Sequence, residues 1–458
     1  MARKTLAEME QTAASGKARE RLVSLFDEDS FVETAKFAGS DGRTASVVTG
    51  YGYIDGKMVC AFSQDISVKS GAVDKAAAAK LVKLYDIALK NGAPLVGIYD
   101  SKGGDIAQGV EMLNAYSYIA QSAASLSGVV PQISYVAGIC AGTAAMIACM
   151  ADFVIMNEKS EFFMTAPFVS SDDNLPGAGT AANAAKAGIS AVTVKDDKAA
   201  AEEIKKLIGI LPENNVSISG NDYSAKNDAD ITSGLTAGEL VKAIADKNSV
   251  TELYKDFGTA SYTALASLDW GTVGFVTTDK ADEKLSSADC AKISRFVSFC
   301  DAFSIPVVTV LNSSGIGGTQ AEELAGSVRD AAKLAQIYAS ATSAKITLVT
   351  GKAIGSAYCA IAPASDMVLA YEESVISAAD PKAAVIFLRG DELNGTNEAA
   401  LIEEYKDNNA SAFVLAESGS VDRVIDPADT REAIISALDA FRQKRVHSPN
   451  RKHINFVY

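Results

Sequence analysis

The chain has 458 residues, enough for two ordinary cores, and its 48% hydrophobic and 22% charged residues are those of a globular protein. A formal net charge of −15 argues against a nucleic-acid partner, which needs a concentrated basic surface, so an anionic ligand has to be held by local groups. The two histidines, His447 and His453, both fall in the tail VHSPNRKHINFVY, which argues against a Ser-His-Asp triad, a histidine-rich zinc site and a histidine base in the core.

In chain order, MARKTLAEMEQ has early basic residues but no apolar stretch behind them, so no secretory signal is expected. VVTGYGYIDGKMVCAFSQD (47–65) is strand-like, and KAAAAKLVKLYDIALKN (75–91) has helical apolar spacing. PLVGIYD (94–100) predicts a short buried strand, SKGG a loop, and VEMLNAYSYIAQSAASLS (110–127) a second helix. QISYVAG is apolar on both faces, as in a sheet covered by helices, and the chain is expected to turn at Gly138 and start a helix at Gly142 and Thr143. Residues 171–250 read as a helical, exposed connector containing a linker. Strand-like pieces over 245–279 lead into the same series again: a helix at AKISRFVSFCDAF (291–303), a strand at PVVTVLN (306–312), a helix at EELAGSVRDAAKLAQIYASAT (322–342) and the strand KITLVTG. A turn at Gly351 and a helix from Gly355 and Ser356 follow.

No uninterrupted apolar run reaches the length of a membrane span. Six scattered cysteines (Cys60, Cys140, Cys149, Cys290, Cys300, Cys359), with no C-x-x-C pair, read as reduced, buried thiols of a cytoplasmic protein.

The second half repeats the first. Pro94 and Pro306 differ by 212, Gly138 and Gly351 by 213, Gly142 and Gly355 by 213, Asp152 and Asp366 by 214, and Pro167 and Pro381 by 214. An α/β protein of two tandem units is therefore expected, at 1–250 and 251–458, with the connector at the end of the first.

A buried strand leading through small residues into a helix exposes backbone N–H groups that have no partner inside the helix. Aimed at a carbonyl oxygen, they form an oxyanion hole, which stabilises an enolate without an ionisable side chain. One such loop is usually packing, but two at equivalent places suit a reaction with two developing oxyanions.

ARERLVSLFDEDSFVE (18–33), VVTGYGYIDGKMV (47–59), FSQDISV (62–68), GICAGTAA (138–145), LVTGKAIGSAY (348–358) and VDRVIDPADTREAII (421–435) together resemble the carboxyltransferase subunits of biotin-dependent acyl-CoA carboxylases and decarboxylases. The resemblance implies two crotonase-like (ClpP/crotonase) ββα superhelix domains, dimers sharing active sites, and commonly a hexamer built as a trimer of dimers. It implies transfer of a carboxyl group between carboxybiotin on a carrier and the α-carbon of a short acyl-CoA, acetyl-CoA or propionyl-CoA, with no metal. By position, Gly142 and Thr143 would offer N–H groups to the thioester oxygen, and Ser356 and Ala357 to the biotin ureido oxygen. Gly138, Ala141, Gly103, Gly104, Gly317, Gly318, Gly355 and Cys359 would shape the adjoining substrate walls.

Several positions depart from the family pattern. The second glycine of the first hole is Thr143, Asp105 stands where an arginine is usual, and Cys359 replaces the aspartate of propionyl-CoA-selective members, so strict propionyl selectivity is not expected. No M-K-M occurs, so a biotin carboxyl carrier protein and a biotin carboxylase subunit are expected as separate partners. Lys17, Arg19 and Arg21 are candidates for the coenzyme A phosphates, and RQKRVHSPNRKH (442–453) is the densest basic run.

Three other readings share these residues. The transferase subunit of a sodium-pumping decarboxylase would run the same step in reverse and meet a membrane only through its partners. A crotonase-type enoyl-CoA hydratase or isomerase would need a positioned carboxylate, for which Asp152 and Asp366 are the candidates. An inactive scaffold subunit is the third.

Overall fold

The computed structural model describes residues 5–12, 16–40, 43–166, 169, 177–217, 227–269, 271–278, 283–394, 396–446 and 455. His447, His453, Pro167 and most of the basic tail lie outside the described residues. The chain divides into two compact units, residues 1–219 and 220–458.

Each unit's main sheet has a short edge strand, Val32–Thr34 or Thr251–Leu253, paired antiparallel with the first strand of an antiparallel hairpin. In the first, Val47–Ile54 pairs with Lys57–Gln64 around Asp55 and Gly56, both at positive φ, as a two-residue turn matched to strand twist requires. In the second, Tyr262–Leu268 pairs with Gly271–Thr278. Parallel strands then follow in chain order: Leu95–Ser101, Gln132–Ala141, Phe153–Asn157 and Val192–Val194 in one sheet, and Val307–Ser313, Lys345–Ile354, Met367–Tyr371 and Arg423–Ile425 in the other. Strand for strand, the two orders are the same.

The helix Lys75–Asn91 forms over the residues its spacing predicts. Asp74 accepts the Ala77 N–H at its start, and Ala77, Leu81, Leu84, Tyr85 and Ala88 are buried in the core that holds Phe62, Leu95 and Tyr99. Its counterpart is Ser287–Ala302, started by a capping box of Ser286 and Asp289. Each copy also buries one lysine at the matching place. Lys80 donates to the Val47 carbonyl (2.6 Å) and Lys292 to the Ser261 carbonyl (2.8 Å), and burial lowers both pKa values, that of Lys292 to about 8.

Four sequence expectations change. The chain does not turn at Gly138 or Gly351; each long strand runs through its glycine and exchanges neighbours there. Residues Ile133–Val136 pair with Phe153–Met156, and Ile139–Ala141 with Glu161–Phe163; likewise Ile346–Val349 pair with Met367–Ala370, and Lys352–Ile354 with Val375–Ser377. Glycine is needed because a Cβ at Gly138 would collide with the Asp100 carboxylate, and one at Gly351 with the Asn312 amide. The segment 322–342 is two helices, Gln320–Ala325 and Ser327–Ser340, broken at Gly326 with φ +94°. The connector is also built into the units. Val192–Val194 extends the first sheet, Asp197–Ile210 buries Ile204, Leu207 and Ile208, and Ala237–Ile244 packs into the second core. Finally, Cys60, Cys140, Cys290 and Cys300 are buried as expected, but Cys149 is half-buried and Cys359 exposed. Among the described residues no helix is long and apolar enough to cross a membrane.

Gly351→Ala is expected to lower the unfolding free energy by about 1–3 kcal/mol, the usual cost of forcing extra volume into a packed site. Chemical denaturation checks this, and an unchanged midpoint would contradict the assigned collision.

Candidate active site

The two small-residue turns have nearly the same backbone. Gly142 sits at φ 63°, ψ −134° and Gly355 at φ 54°, ψ −122°, a region essentially reserved for glycine. The Gly142 N–H donates to the Phe163 carbonyl (2.9 Å), and the Gly355 N–H to the Ser377 carbonyl (2.8 Å). Short helices, Thr143–Ala148 and Ser356–Ile361, start immediately afterwards, and the Gly142 and Gly355 carbonyls accept from Ala145 (3.0 Å) and Cys359 (3.1 Å).

This corrects the sequence assignment of the first hole. Gly142 shapes the turn but has no N–H to offer, because Phe163 already takes it. The first two N–H groups after each glycine, those of Thr143 and Ala144 and of Ser356 and Ala357, make no backbone hydrogen bond of this kind. Thr143 and Ser356 are exposed, so theirs are the open donors; Ala144 and Ala357 are buried and anchor the turn beneath.

A Gly-containing loop flanks each turn. The Ser101 hydroxyl donates to the Gly103 carbonyl (3.0 Å) and accepts the Gly103 N–H (3.1 Å); Ser313 does the same with Gly315 (3.1 and 3.3 Å). The Val73 N–H donates to the Gly103 carbonyl (3.1 Å) and the Leu285 N–H to that of Gly315 (2.9 Å). The counterparts of Gly103 and Gly104 are thus Gly315 and Ile316, which the sequence comparison missed because it aligned the loops on Gly317 and Gly318. Gly317 instead plays the part of Asp105, each donating its N–H to the strap before its loop, at Leu285 (2.8 Å) and Val73 (3.0 Å). The Ile316 N–H reaches the Ser356 hydroxyl (3.3 Å), tying loop to turn.

The second turn opens onto a cleft of about 540 Å³ lined by Lys284, Ile316, Lys352, Gly355, Ser356 and Asp380. In the first unit, a cleft of about 570 Å³ lies beside the loop, around Lys69, Lys102, Gly104 and Asp105. Burial opposes the Lys69 charge, but Asp74 (3.2 Å) and Asp105 (3.4 Å) outweigh it and raise the Lys69 pKa. Ala141 is half-buried directly before the first turn, and Gly138 lies three residues back against Asp100. Cys359 is exposed on the helix after Ser356, but it does not line the cleft.

The proposed phosphate contacts are not supported. Arg21 is buried and bonds Asp100 (2.9 Å) and Asp197 (3.0 Å), and the Tyr135 hydroxyl donates to Asp197 (2.7 Å). Burial works against the Arg21 charge, yet these two carboxylates raise its pKa. Lys17 pairs with Asp197 (3.4 Å) and Arg19 with Glu33. The signal for Arg21 was available, since it lies in the buried helical stripe of Ala18, Leu22 and Leu25.

Asp152 and Asp366 are also placed away from the turns. Their carboxylates accept the N–H groups of Gln132 (2.8 Å) and Lys345 (2.8 Å), the first residues of the long strands whose far ends lead into the turns. A ten-residue strand separates them, roughly 30 Å at ordinary strand rise.

Gly142→Ala and Gly355→Ala should each cost about 1–3 kcal/mol from positive φ. The loss should be larger at Gly355, where a Cβ would lie 3.1 Å from the Ala378 carbonyl, than at Gly142, where the nearest atom is 3.9 Å away. Paired thermal melts check the ranking, and the reverse order would contradict it.

The Carboxyl transferase domain family matches residues 11–456. The methylmalonyl-CoA decarboxylase alpha subunit of Veillonella parvula is 34% identical, over 98% of this chain and 94% of that protein. The propionyl-CoA carboxylase beta chain of Cereibacter sphaeroides is 34% identical, over 96% and 93%. Among solved structures, the transcarboxylase 12S hexamer core with hydrolysed methylmalonyl-coenzyme A bound superposes with a TM-score of 0.91 at 32% identity, covering 96% of this chain and 92% of that one. With the duplicated sheets and paired turns, these likenesses show that the chain belongs to the carboxyltransferase subunits of biotin-dependent acyl-CoA carboxylases and decarboxylases.

Proposed function

We propose that this carboxyltransferase moves a carboxyl group between biotin on a separate carrier protein and the α-carbon of acetyl-CoA or propionyl-CoA, using one turn for each oxyanion. The observation that carries the reading is the repeated donor arrangement: Gly142 and Gly355 each spend their own N–H on a neighbouring strand, leaving the exposed Thr143 and Ser356 next in line as donors. The exposed Thr143 N–H, backed by Ala144, takes the thioester oxygen. The Ser356 N–H, backed by Ala357, takes the ureido oxygen of biotin.

The second cleft fits such a ring. Its volume of about 540 Å³ is that of a small-molecule site, and it brings an outward N–H together with two cationic walls. When bound, carboxylated biotin supplies CO2 and then a base for the α-proton. The residues of this chain hold the reacting oxygens at fixed donors and keep both partners in near-attack geometry, the two largest contributions open to a site without an ionisable catalyst. Gly103, Gly104, Gly315, Gly317 and Gly318 shape the loops around them, and Ala141, Gly138 and Cys359 the adjoining strand and helix.

A biotin carboxyl carrier protein and a biotin carboxylase subunit complete the reading, with a hexamer in the cytoplasm, as the similar transcarboxylase 12S core is hexameric. A second reading, decarboxylation within a membrane-linked complex, is favoured by the similarity to the Veillonella parvula decarboxylase subunit. Copurification separates the two, through an ATP-dependent carboxylase or a membrane subunit. A hydratase is disfavoured because Asp152 and Asp366 hold strand amides at the far end of the sheets.

Free biotin is expected to accelerate decarboxylation of malonyl-CoA or methylmalonyl-CoA by the purified protein. Ser356→Pro, which deletes one N–H where a helix start accepts proline, should lower that rate about 10²–10³-fold with fold and assembly intact. Near-normal turnover of Ser356→Pro, or enoyl-CoA hydration without biotin, would overturn the reading.

A further inference from the structure

The two copies differ in charge where their walls correspond. Leu285 holds the Gly315 carbonyl as Val73 holds that of Gly103, so Lys284 stands where the first copy has Ala72. Lys352 follows Gly351 as Ile139 follows Gly138. The exchange runs the other way once, with Ser314 opposite Lys102; the first cleft also has Lys69, but that lysine is paired with Asp74 (3.2 Å) and Asp105 (3.4 Å).

Both lysines are held from behind. The Lys352 N–H donates to the Asn312 side-chain oxygen (2.8 Å), fixing the strand from which its side chain enters the cleft. The stem of Lys284 packs on the loop, since a Cβ at Gly318 would lie 2.8 Å from Lys284 Cδ. The carboxylate on the same wall, Asp380, accepts the Lys382 N–H (3.0 Å) at the start of the helix Pro381–Arg389.

We propose that Lys284 and Lys352 form a carboxylate subsite, which holds the N-carboxyl group of carboxylated biotin while the Ser356 N–H takes the ureido oxygen. The subsite rests on the assignment of the second cleft to biotin. Charge-assisted hydrogen bonds from two ammonium groups favour the carboxylated ring over the bare ring. The carboxylate loses its charge as CO2 leaves, so the lysines stabilise the bound carboxylated ring more than the transition state, which is left to the backbone donors. An apolar pair, Ala72 and Ile139, at the corresponding places suits the uncharged α-carbon of a thioester.

The test measures equilibrium binding of N1-carboxybiotin and of biotin to the full-length protein, as wild type, Lys284→Met, Lys352→Met and Lys352→Arg. Wild type is expected to prefer carboxybiotin, and each methionine variant to lose about tenfold of that preference while biotin binding stays within about twofold. Lys352→Arg should retain the preference. In steady-state transfer, the methionine variants should raise KM for carboxybiotin and raise kcat in proportion, leaving kcat/KM within about twofold. Lys284 is exposed, so its variant tests the subsite even if Lys352→Met fails to fold. Equal binding of the two ligands by wild type would overturn the subsite. So would weakened acyl-CoA binding with the carboxybiotin preference intact, which would assign the cations to a coenzyme A phosphate. A preference for carboxybiotin without any transfer by wild type would sustain the subsite and defeat the proposed function.

Discussion

Two hydrogen bonds, Gly142 N–H to the Phe163 carbonyl and Gly355 N–H to the Ser377 carbonyl, fix the geometry on which the site depends. Each ties the turn to the short strand that takes over as neighbour of the long strand, so turn and sheet are positioned together. The tie requires a backbone region open to glycine, and it consumes the glycine's own donor. What remains is a pair of N–H groups at the start of a short helix, held by a buried alanine.

The partner exchange that makes this possible has its own condition. A long strand can pair first with Phe153–Asn157 or Met367–Tyr371 and then with a second strand only if the crossing point carries no side chain. In the first copy that space holds Asp100, which Arg21 neutralises; in the second it holds Asn312, which needs no counter-charge and accepts from the Lys352 N–H. Removing one partner of a buried ion pair typically costs about 3–5 kcal/mol, so Arg21 supports the first unit's fold and is not available to coenzyme A.

Much of this was legible in the sequence. The duplication is visible as a nearly constant offset, and it carries the sheet order, the paired helices and the paired turns. The helix Lys75–Asn91 is read to the residue, because a capping aspartate and a following glycine bracket an apolar stripe. The misread features depend on neighbours distant in sequence. Nothing near Gly142 shows that Phe163 will take its N–H, and nothing near Gly138 shows that Asp100 occupies its Cβ space. The shift from Gly317 to Gly315 appears only through Ser313, whose hydroxyl marks the equivalent of Gly103. Charge alone made Lys17, Arg19 and Arg21 attractive as phosphate ligands, but their partners are acids folded against them.

The central claim is that the two turns are separate donors, one for each oxyanion. The most direct test compares Thr143→Pro and Ser356→Pro, each lacking one N–H, for binding of a nitronate analogue of the acyl-CoA enolate and, separately, of biotin. The account predicts that Thr143→Pro loses the nitronate and keeps biotin, and that Ser356→Pro does the reverse. Loss of both ligands by either folded variant, or of neither, would contradict it.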